Sequence, residues 1–316
     1  MRPLMSVAGA ALCHAAHCNT KAPADAPLAP KLPLGLAHPS GMWHRARQLG
    51  HVDDIPEGLV QALREGSCVA MVGAGLSYPA GLPGYEALLT SVSRASGVPI
   101  ELPDNGSYDD LDEVQFRLAD RVGKEEMSRI LRSELYLAGA VPRAMRPVLE
   151  AFCRLPFAAV VSWNWDNVLD ARYASAPNNA PGFREVLGSR ARPGGYDSLC
   201  VPLLKMQGDL EDAATVVLTR DDYRHRARGA EAFQRALFVS HTVLHIGMSL
   251  RAGGVGDNKR PGARHYAILN DVTPARREEL ERWNIHAVSY DSAATKWNGN
   301  QIIMHELARR VYNVEG

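Results

Sequence analysis

From residue 51 onward, short apolar runs alternate with longer stretches in which apolar residues recur every three or four positions. This alternation is typical of a parallel β-sheet that is covered by helices on both faces. Six of the runs are nearly continuously apolar, as buried parallel strands tend to be. The predicted strands are residues 68–72, 157–162, 202–206, 242–246, 265–269 and 285–289. The pattern therefore predicts an α/β fold with a doubly wound, mostly parallel six-stranded sheet.

Residues 84–155 contain no run of this kind. Their apolar side chains recur at helical spacing instead, which predicts a helical insertion at about 84–155 after the first strand. The residues that carry this period are Leu111, Val114 and Leu118, followed by Met127, Ile130 and Leu131.

Two later helices have recognisable starts. Thr219 and Asp222 have the spacing of a capping box, in which each side chain accepts a hydrogen bond from the other residue's backbone. Thr273 precedes Pro274, an arrangement that predicts an N-cap followed by the first helical position. A last helix is expected at about 301–312.

The first fifty residues differ from the rest of the chain. A short apolar run at 4–12 weakly imitates a secretory signal, and residues 19–42 form a tract rich in Pro and Ala that cannot pack a core. A start codon placed too far upstream would give the same composition. We expect residues 1–50 to be a disordered tail of low information and residues 51–316 to form one domain.

The amino-acid composition limits the classes of molecule that the protein is expected to bind. Lys and Arg number 35 and Asp and Glu also number 35, so no overall field draws the chain onto nucleic acid or an anionic membrane. No apolar run reaches the eighteen residues of a membrane span. The 5 cysteines include no Cys-x-x-Cys pair, which favours neither a disulfide framework nor a zinc site and fits a cytoplasmic protein without a metal. Small molecules or protein partners are expected.

The first strand leads directly into the segment Gly73-Ala-Gly75-Leu-Ser77. Glycines at such a turn let backbone N–H groups approach a phosphate closely. The dinucleotide fingerprint G-x-G-x-x-G is incomplete because Tyr78 stands at the third glycine position, so an ordinary dehydrogenase is disfavoured. Two interpretations of the glycines stay open, a ligand loop and a tight strand-to-helix turn.

Polar residues also follow the other strands. Asn164 and Asp166 come after the second strand, where they can face a ligand crevice or simply cap a helix. Gln207 follows the third strand, a Gly247-Met-Ser249 turn follows the fourth, and Asn270 ends the fifth. Such turns from four strands at one edge of a sheet are harder to explain as turns alone.

Taken in order, these segments resemble the motifs of one family, the sirtuins in the broad sense. The matching segments are residues 73–83 (G-A-G-x-S-x-x-x-G-x-P), 164–166 (N-x-D), 247–250 (G-x-S-L) and Asn270. The resemblance covers roughly residues 65–291 and implies the Rossmann-like sirtuin fold with NAD as ligand.

Within this family the chain is similar to the bacterial branch found in antiphage defence. It has no zinc-binding cysteine quartet, and residues 205–210 and 217–223 resemble that branch's Lys-Leu-His-Gly-Asp-Leu and Leu-Thr-x-x-x-Tyr stretches. This resemblance implies an NAD+ glycohydrolase, which cleaves NAD to ADP-ribose and nicotinamide. It also implies a homo-oligomer or a partner defence protein.

The resemblance assigns two groups of NAD-binding residues. Those that would cradle the pyrophosphate are Gly73, Ala74, Gly75 and Ser77, and those that would hold the adenosine half are Gly247, Ser249 and Asn270. Asn164 would lie beside the nicotinamide ribose and position water, while Asp166 would accept a hydrogen bond from the carboxamide. These polar groups favour an oxocarbenium-like departure of nicotinamide.

One position departs from the family pattern. Gln207 stands where the catalytic histidine is expected, and an amide cannot take up a proton. A positioned general base contributes about 10²- to 10⁴-fold to a rate, so its loss weakens catalysis without necessarily abolishing it. Three interpretations stay open: slow NAD hydrolysis, an NAD- or ADP-ribose-binding sensor or structural subunit, and a deliberately inactivated variant. We expect His245 to be packed and His225 to be solvated, so neither replaces the base.

Overall fold

A computed structural model describes most of the chain from residue 40 onward. The described residues are 40–103, 108–138, 141–171, 182–187, 200–250, 264–295 and 298–313. Within them the chain forms one parallel sheet, helices on both faces of that sheet, and a helical group inserted after the first strand.

The sheet has seven strands, all paired in parallel. They are β1 (Cys68–Val72), β2 (Ala159–Ser162), β3 (Gly182–Leu187), β4 (Cys200–Lys205), β5 (Thr242–Ile246), β6 (His265–Asn270) and β7 (Ile285–Tyr290). Their order across the sheet is β3-β4-β2-β1-β5-β6-β7. All six predicted strands are present, and the Rossmann-like α/β class is confirmed.

The additional strand, β3, lies at one edge and pairs only with β4. Its sequence, Gly-Phe-Arg-Glu-Val-Leu, has two charged residues in the middle. A search for continuous apolar runs therefore does not find it, because an edge strand has no need of the unbroken apolar pattern of a central parallel strand.

The described residues contain ten α-helices. They are α1 (Ser40–Gln48), α2 (Glu57–Arg64), α3 (Tyr85–Ser96), α4 (Tyr108–Val122), α5 (Lys124–Leu135), α6 (Arg146–Cys153), α7 (Val168–Ala171), α8 (Arg220–Ser240), α9 (Pro274–Arg282) and α10 (Gly299–Val311). Among these residues no helix is long and apolar enough to cross a membrane.

Alternate side chains of each central strand point to opposite faces of the sheet, and each face has its own apolar layer. One face packs against α1, α2, α6 and α10, with Leu63, Phe152 and Ile303 fully or almost fully buried. The other face packs against α8 and α9, through residues such as Leu237 and Leu280. Burial on both faces explains why the central strands are almost continuously apolar.

The helical insertion divides into two parts. Helices α3, α4 and α5 form a separate apolar cluster around Leu89, Leu118 and Leu131. Helix α6 instead packs on the sheet beside α10. The inserted group therefore has a small core of its own, and that core also takes in Trp165 from the loop after β2.

The N-terminal expectation differs from the structure at residues 40–50. Helix α1 occupies residues 40–48, and its Trp43 side chain is buried against the sheet layer, with Arg310 stacked at 5.9 Å from the ring. One aromatic residue is enough to anchor a short helix to a core, which composition does not reveal. The rest of the predicted tail, residues 1–39, lies outside the described residues.

Both predicted helix starts are confirmed. Thr219 and Asp222 form a reciprocal capping box at the start of α8, and the Thr273 hydroxyl accepts from the backbone N–H of Arg276 at the start of α9.

The strand order also fixes where a crevice opens. The chain passes from β1 to β2 on one side of β1, and it later returns with β5 on the other side. Ligands of open α/β sheets bind outside the carboxyl ends of the strands at such a topological switch point. In this protein that point lies between β1 and β5.

Candidate functional site

The strand register brings the predicted site loops to one edge. Val72 pairs with Ser162 on one side and with Ile246 on the other, and Ser162 pairs with Lys205. The next backbone N–H groups continue this pattern, with Trp163 donating to the Val72 carbonyl at 3.0 Å. The loops after β1, β2, β4 and β5 therefore leave the sheet in the same layer.

The glycines after β1 and β5 allow two loops to touch backbone to backbone. Gly75 donates its N–H to the Gly247 carbonyl at 2.9 Å, and a Cβ on Gly75 would lie 2.9 Å from the Gly247 Cα. Gly247 has φ +68, and a Cβ there would lie 2.2 Å from the Leu76 nitrogen. Close packing at the switch point is thus a sufficient reason for these glycines, whatever they bind.

The same loop uses most of its own donors. The N–H groups of Gly73, Gly75, Leu76 and Ser77 each donate to a backbone carbonyl, at distances of 2.9 to 3.1 Å. Among the described residues, the Ala74 N–H has no hydrogen-bond partner. In this conformation Ala74 is therefore the amide of the loop that is available to a phosphate oxygen.

A buried polar cluster lies beside this loop. The Ser77 hydroxyl donates to Asp166 Oδ2 at 2.8 Å, and Asn164 Nδ2 lies 3.4 Å from the Ser77 oxygen. The exposed fraction is 2% for Ser77 and 8% for both Asn164 and Asp166. The Ser77 side chain thus points to Asp166 and away from solvent, which differs from the phosphate contact that the sequence motif implies.

Asp166 both caps a helix and takes part in the polar cluster, which are the two roles considered for its motif. Its Oδ1 accepts from the backbone N–H of Val168 at 2.9 Å, as a helix cap does, while its Oδ2 belongs to the polar cluster. Burial raises the pKa of Asp166, and the hydrogen bonds from Val168 and Ser77 and the charge of Lys205 oppose this rise only in part. Asp166 therefore holds a proton more readily than an exposed aspartate does.

A second network of polar side chains is centred on Lys205, which lies two residues before Gln207 in the sequence. Lys205 is 1% exposed, and its Nζ lies 2.9 Å from Asp170 Oδ2 and 3.4 Å from Asp209 Oδ2. Tyr136 donates its hydroxyl to Asp209 Oδ1 at 2.7 Å. These contacts connect β4, the helix that follows the Asn-x-Asp motif and the inserted helical group.

Gln207 lies in the turn after β4, between two residues of this network, Lys205 and Asp209. Its carbonyl accepts from the Val217 N–H at 3.0 Å, and its side chain is partly buried. The next residue, Gly208, has φ +79, and a Cβ there would lie 2.0 Å from the Thr215 carbonyl oxygen. The backbone of the turn is thus fixed on both sides of Gln207.

The residues predicted to hold an adenosine lie on the other side of the switch point. Ser249 and Asn270 are both exposed, after β5 and at the end of β6 respectively. The Ser249 carbonyl accepts from Arg276, and the Asn270 amide donates to Asp271. No hydrogen bond among the described residues joins Ser249, Asn270 or Gln207 to another predicted site residue.

Direct contact therefore joins only part of the predicted set. Ser77, Asn164 and Asp166 form one cluster, and Gly75 and Gly247 form another contact. Gly73 lies against the same contact, since a Cβ on it would lie 2.7 Å from the Gly247 carbonyl oxygen.

Several residues of the site were not predicted, among them Lys205, Asp170, Asp209 and Tyr136 of the second network. Lys205 and Asp170 carry the buried ion pair, and Trp165 packs into the core of α3–α5 between its two motif neighbours. A lysine at the end of an apolar strand is a usable signal, because lysine is rarely buried without a charged partner. The partner on α7 has no comparable signal in the sequence.

The two histidines behave as expected. His245 is fully buried and stacked with Phe238, and burial together with the neighbouring His265 lowers the pKa of His245 to about 3. His225 is exposed on α8. Among the described residues, no group of three or more His, Cys, Asp or Glu side chains is arranged to hold a metal ion.

Part of the chain matches a known protein family. The family model described as a SIR2-like domain matches residues 158–288, a range that includes the loops with Asn164, Gln207, Gly247 and Asn270. Residues 158–288 are thus similar to SIR2-like domains, in agreement with the resemblance seen in the motifs. The glycine loop at 73–77 lies outside the matched range.

A curated relative is the NAD(+) hydrolase ThsA of Acinetobacter baumannii (strain 532279). It is 22% identical over 284 residues, which cover 80% of this chain and 55% of the relative. The chain therefore spans about half the length of that protein. The equivalence of Gln207 with the family's catalytic histidine stays a prediction.

Proposed function

We propose that this protein is an NAD+ hydrolase that cleaves NAD to ADP-ribose and nicotinamide. The observation that carries the proposal is the buried cluster of Ser77, Asn164 and Asp166 at the topological switch point of a SIR2-like domain. The name of the relative, an NAD(+) hydrolase, supports the same reaction.

In this proposal the reaction is a dissociative cleavage. The bond between the ribose C1′ and the nicotinamide nitrogen breaks, and the electron pair leaves with nicotinamide. Water then adds to C1′ and releases a proton to solvent, giving ADP-ribose. Asn164 orients that water, and Asp166 accepts a hydrogen bond from the carboxamide of the leaving group. Preorganised dipoles of this kind stabilise the developing oxocarbenium ion without having to reorient during the reaction.

The buried carboxylates support the positive charge of the transition state. Asp170 and Asp209 both pair with Lys205, and Lys205 and Asp170 lie close enough to Asp166 to affect its pKa. A carboxylate close to the reacting centre stabilises a cationic transition state. The network also fixes the turn that carries Gln207.

Gln207 limits the rate of the proposed reaction. Its amide can donate to or accept from a ribose hydroxyl or a water, but it cannot take up a proton. The rate is therefore lower by about 10²- to 10⁴-fold than with a histidine at this position.

The same residue favours a second candidate function. A site that binds NAD or ADP-ribose but lacks a base fits a sensor or structural subunit that signals nucleotide occupancy. Hydrolysis and sensing share every binding contact and differ in whether nicotinamide is released.

We also propose, from the resemblance to the antiphage-defence branch, that the chain acts in defence, in the cytoplasm, as a homo-oligomer or with a partner defence protein. Sedimentation of the purified chain with and without NAD tests the oligomer directly, and a monomer under both conditions contradicts it.

The test of the proposed function is nicotinamide release from NAD by the purified protein, together with calorimetric titration of NAD. We expect slow release that Asn164→Ala abolishes and Gln207→His accelerates. Asn167→Ala is the matched control, because its amide bonds to the Leu137 backbone and not to the cluster. Tight binding without release, unchanged in Gln207→His, supports the sensor, and no binding at all overturns both functions.

A further inference from the structure

The end of β6 holds a fixed carboxylate beside Asn270. Asp271 Oδ1 accepts from the Ser292 N–H at 2.9 Å, and its Oδ2 accepts from the Ser292 hydroxyl at 2.5 Å and from Asn270 Nδ2 at 3.0 Å. Asp271 has φ +49, so its backbone is held in the left-handed region. The hydrogen bonds from Ser292, and then that from Asn270, lower the pKa of Asp271. The carboxylate is therefore charged at neutral pH and held in one position.

This carboxylate also orients the neighbouring amide. Asn270 is exposed, and its nitrogen is directed to Asp271, so its Oδ1 has no hydrogen bond to the described residues. A ribose hydroxyl can donate to that oxygen. The pair thus offers acceptors to a sugar: the Asn270 oxygen and the edge of the Asp271 carboxylate.

A guanidinium near Asn270 and Asp271 would favour the binding of NADP, because an arginine often accommodates the 2′-phosphate of NADP. Arg276 on α9 is the candidate, but three of its five N–H donors are already used. Its Nη1 pairs with Glu279 Oε2 at 2.5 Å, and its Nη2 donates to the carbonyls of Ser249 and Leu250. Its guanidinium also lies 5.2 Å from the centre of the Trp283 ring.

The N-terminus of α9 is also a weak anion site, because some of its N–H donors are missing or already used. Its first residue, Pro274, has no N–H, and the N–H of Arg276 is taken by the Thr273 hydroxyl at 3.2 Å. Two of the donors that a helix start can offer to a phosphate are therefore missing or used. The fixed charge that a sugar substituent meets here is the Asp271 carboxylate.

We infer that Asp271 makes the crevice selective for NAD over NADP. This inference rests on the proposed NAD site. A 2′-phosphate carries a charge of about −1.5 to −2 at neutral pH, and beside the fixed carboxylate that charge is repelled. An unphosphorylated ribose keeps its hydroxyls as hydrogen-bond donors to the same acceptors.

The test measures the dissociation constants of NAD and NADP by calorimetry at low ionic strength. We expect the protein to bind NAD at least about tenfold more tightly than NADP. Asp271→Asn should remove most of this ratio, mainly by tightening NADP binding. Added salt should reduce the ratio in the unchanged protein, because exposed charges are screened.

Two further variants test the charge of Asp271 and its fixed orientation separately. Ser292→Ala removes the hydroxyl that fixes Asp271 but keeps its charge, so we expect weaker NAD binding with discrimination retained. Glu278→Gln is the matched charge control, since Glu278 is an exposed residue of α9 with no hydrogen bond to the described residues. It should leave the ratio unchanged.

The possible failures can be distinguished. Equal affinity for NAD and NADP in the unchanged protein overturns the selectivity and leaves the proposed function standing. A ratio that survives Asp271→Asn assigns the selectivity to another residue and also overturns the inference. A folded protein that binds neither nucleotide overturns the inference and the proposed function together.

Discussion

The two sides of the switch point differ in how their polar groups are held. On the β2–β4 side, Asn164, Asp166 and Lys205 are buried and bonded to one another or to their neighbours. On the β5–β6 side, Ser249 and Asn270 are exposed. In the proposed function this difference divides the work: the buried side is preorganised and dry, as bond cleavage requires, and the exposed side is open, as nucleotide exchange requires.

The largest expected effect is on the buried side. Lys205→Met leaves the carboxylates of Asp170 and Asp209 without their counter-charge in a buried site, which should lower the free energy of unfolding by about 3 kcal/mol. Chemical denaturation measures this loss. Lys124→Met is the control, because the ion pair of Lys124 with Asp222 is partly exposed, and we expect at most about 1 kcal/mol there. Equal losses in the two variants would contradict a buried, interdependent network.

The next effect lies at the junction of the two sides. Gly247→Ala places a Cβ 2.2 Å from the Leu76 nitrogen at φ +68, so the two loops must separate. We expect a loss of at least about 2 kcal/mol in unfolding free energy. Gly81→Ala has a similar φ of +80 but no atom within 4 Å, and it should lose only the backbone strain of about 1 kcal/mol. If the two variants lose the same amount, close approach is not the reason for Gly247.

A smaller effect concerns the proton of Asp166. Because burial raises its pKa above the ordinary value of 3.8, the folded protein binds this proton more tightly than the unfolded chain does. The stability that the group contributes is fully present below its unfolded pKa and is lost as pH rises through the folded pKa. We expect Asp166→Asn to remove this loss, so that the unfolding free energy falls less steeply from about pH 4 upward.

Asp222 provides the control of opposite sign. Burial raises its pKa, but the hydrogen bonds from Lys124, Thr219 and Leu218 together lower it below the ordinary value. Its contribution is therefore present above the unfolded pKa and is lost as pH falls through the folded pKa. Asp222→Asn should destabilise the protein at neutral pH, whereas Asp166→Asn should not. The same sign for both variants would show that burial does not dominate at Asp166.

The smallest effect is on the exposed side. Asn270→Ala removes one neutral hydrogen-bonding group from the proposed nucleotide site, so the dissociation constant of NAD should rise by about fivefold to tenfold. The rate of nicotinamide release at saturating NAD should be unchanged, because the proposed site assigns Asn270 to the adenosine half of NAD. A lower saturated rate would contradict the division between the two sides.

Much of the fold could be predicted because its pattern is local. The central strands are apolar on both faces, and the capping residues Thr219 and Thr273 mark helix starts within a few residues. Strand β3 was missed because two charged residues, Arg184 and Glu185, interrupt its apolar run, and α1 was missed because a single residue, Trp43, anchors it. For α1 the deciding contact joins distant parts of the chain, because Trp43 packs in the same core as Ile303.

For the site, too, the sequence located residues but did not show which of them are in contact. The motifs located Asn164, Asp166 and Gln207 at the ends of strands, but not which of them touch. Ser77 and Asp166 are 89 residues apart in sequence, and their contact depends on the pairing of β1 with β2.

By itself, then, the sequence determined six of the seven strands, the α/β class, the motif positions and the absence of a proton-accepting histidine at residue 207. Only the tertiary structure decided that Ser77 faces Asp166, that Lys205 joins Asp170 and Asp209, and that the glycines serve a backbone contact. The physical reason is range: propensity and periodicity act over a few residues, whereas burial, charge pairing and close backbone approach depend on which strands become neighbours.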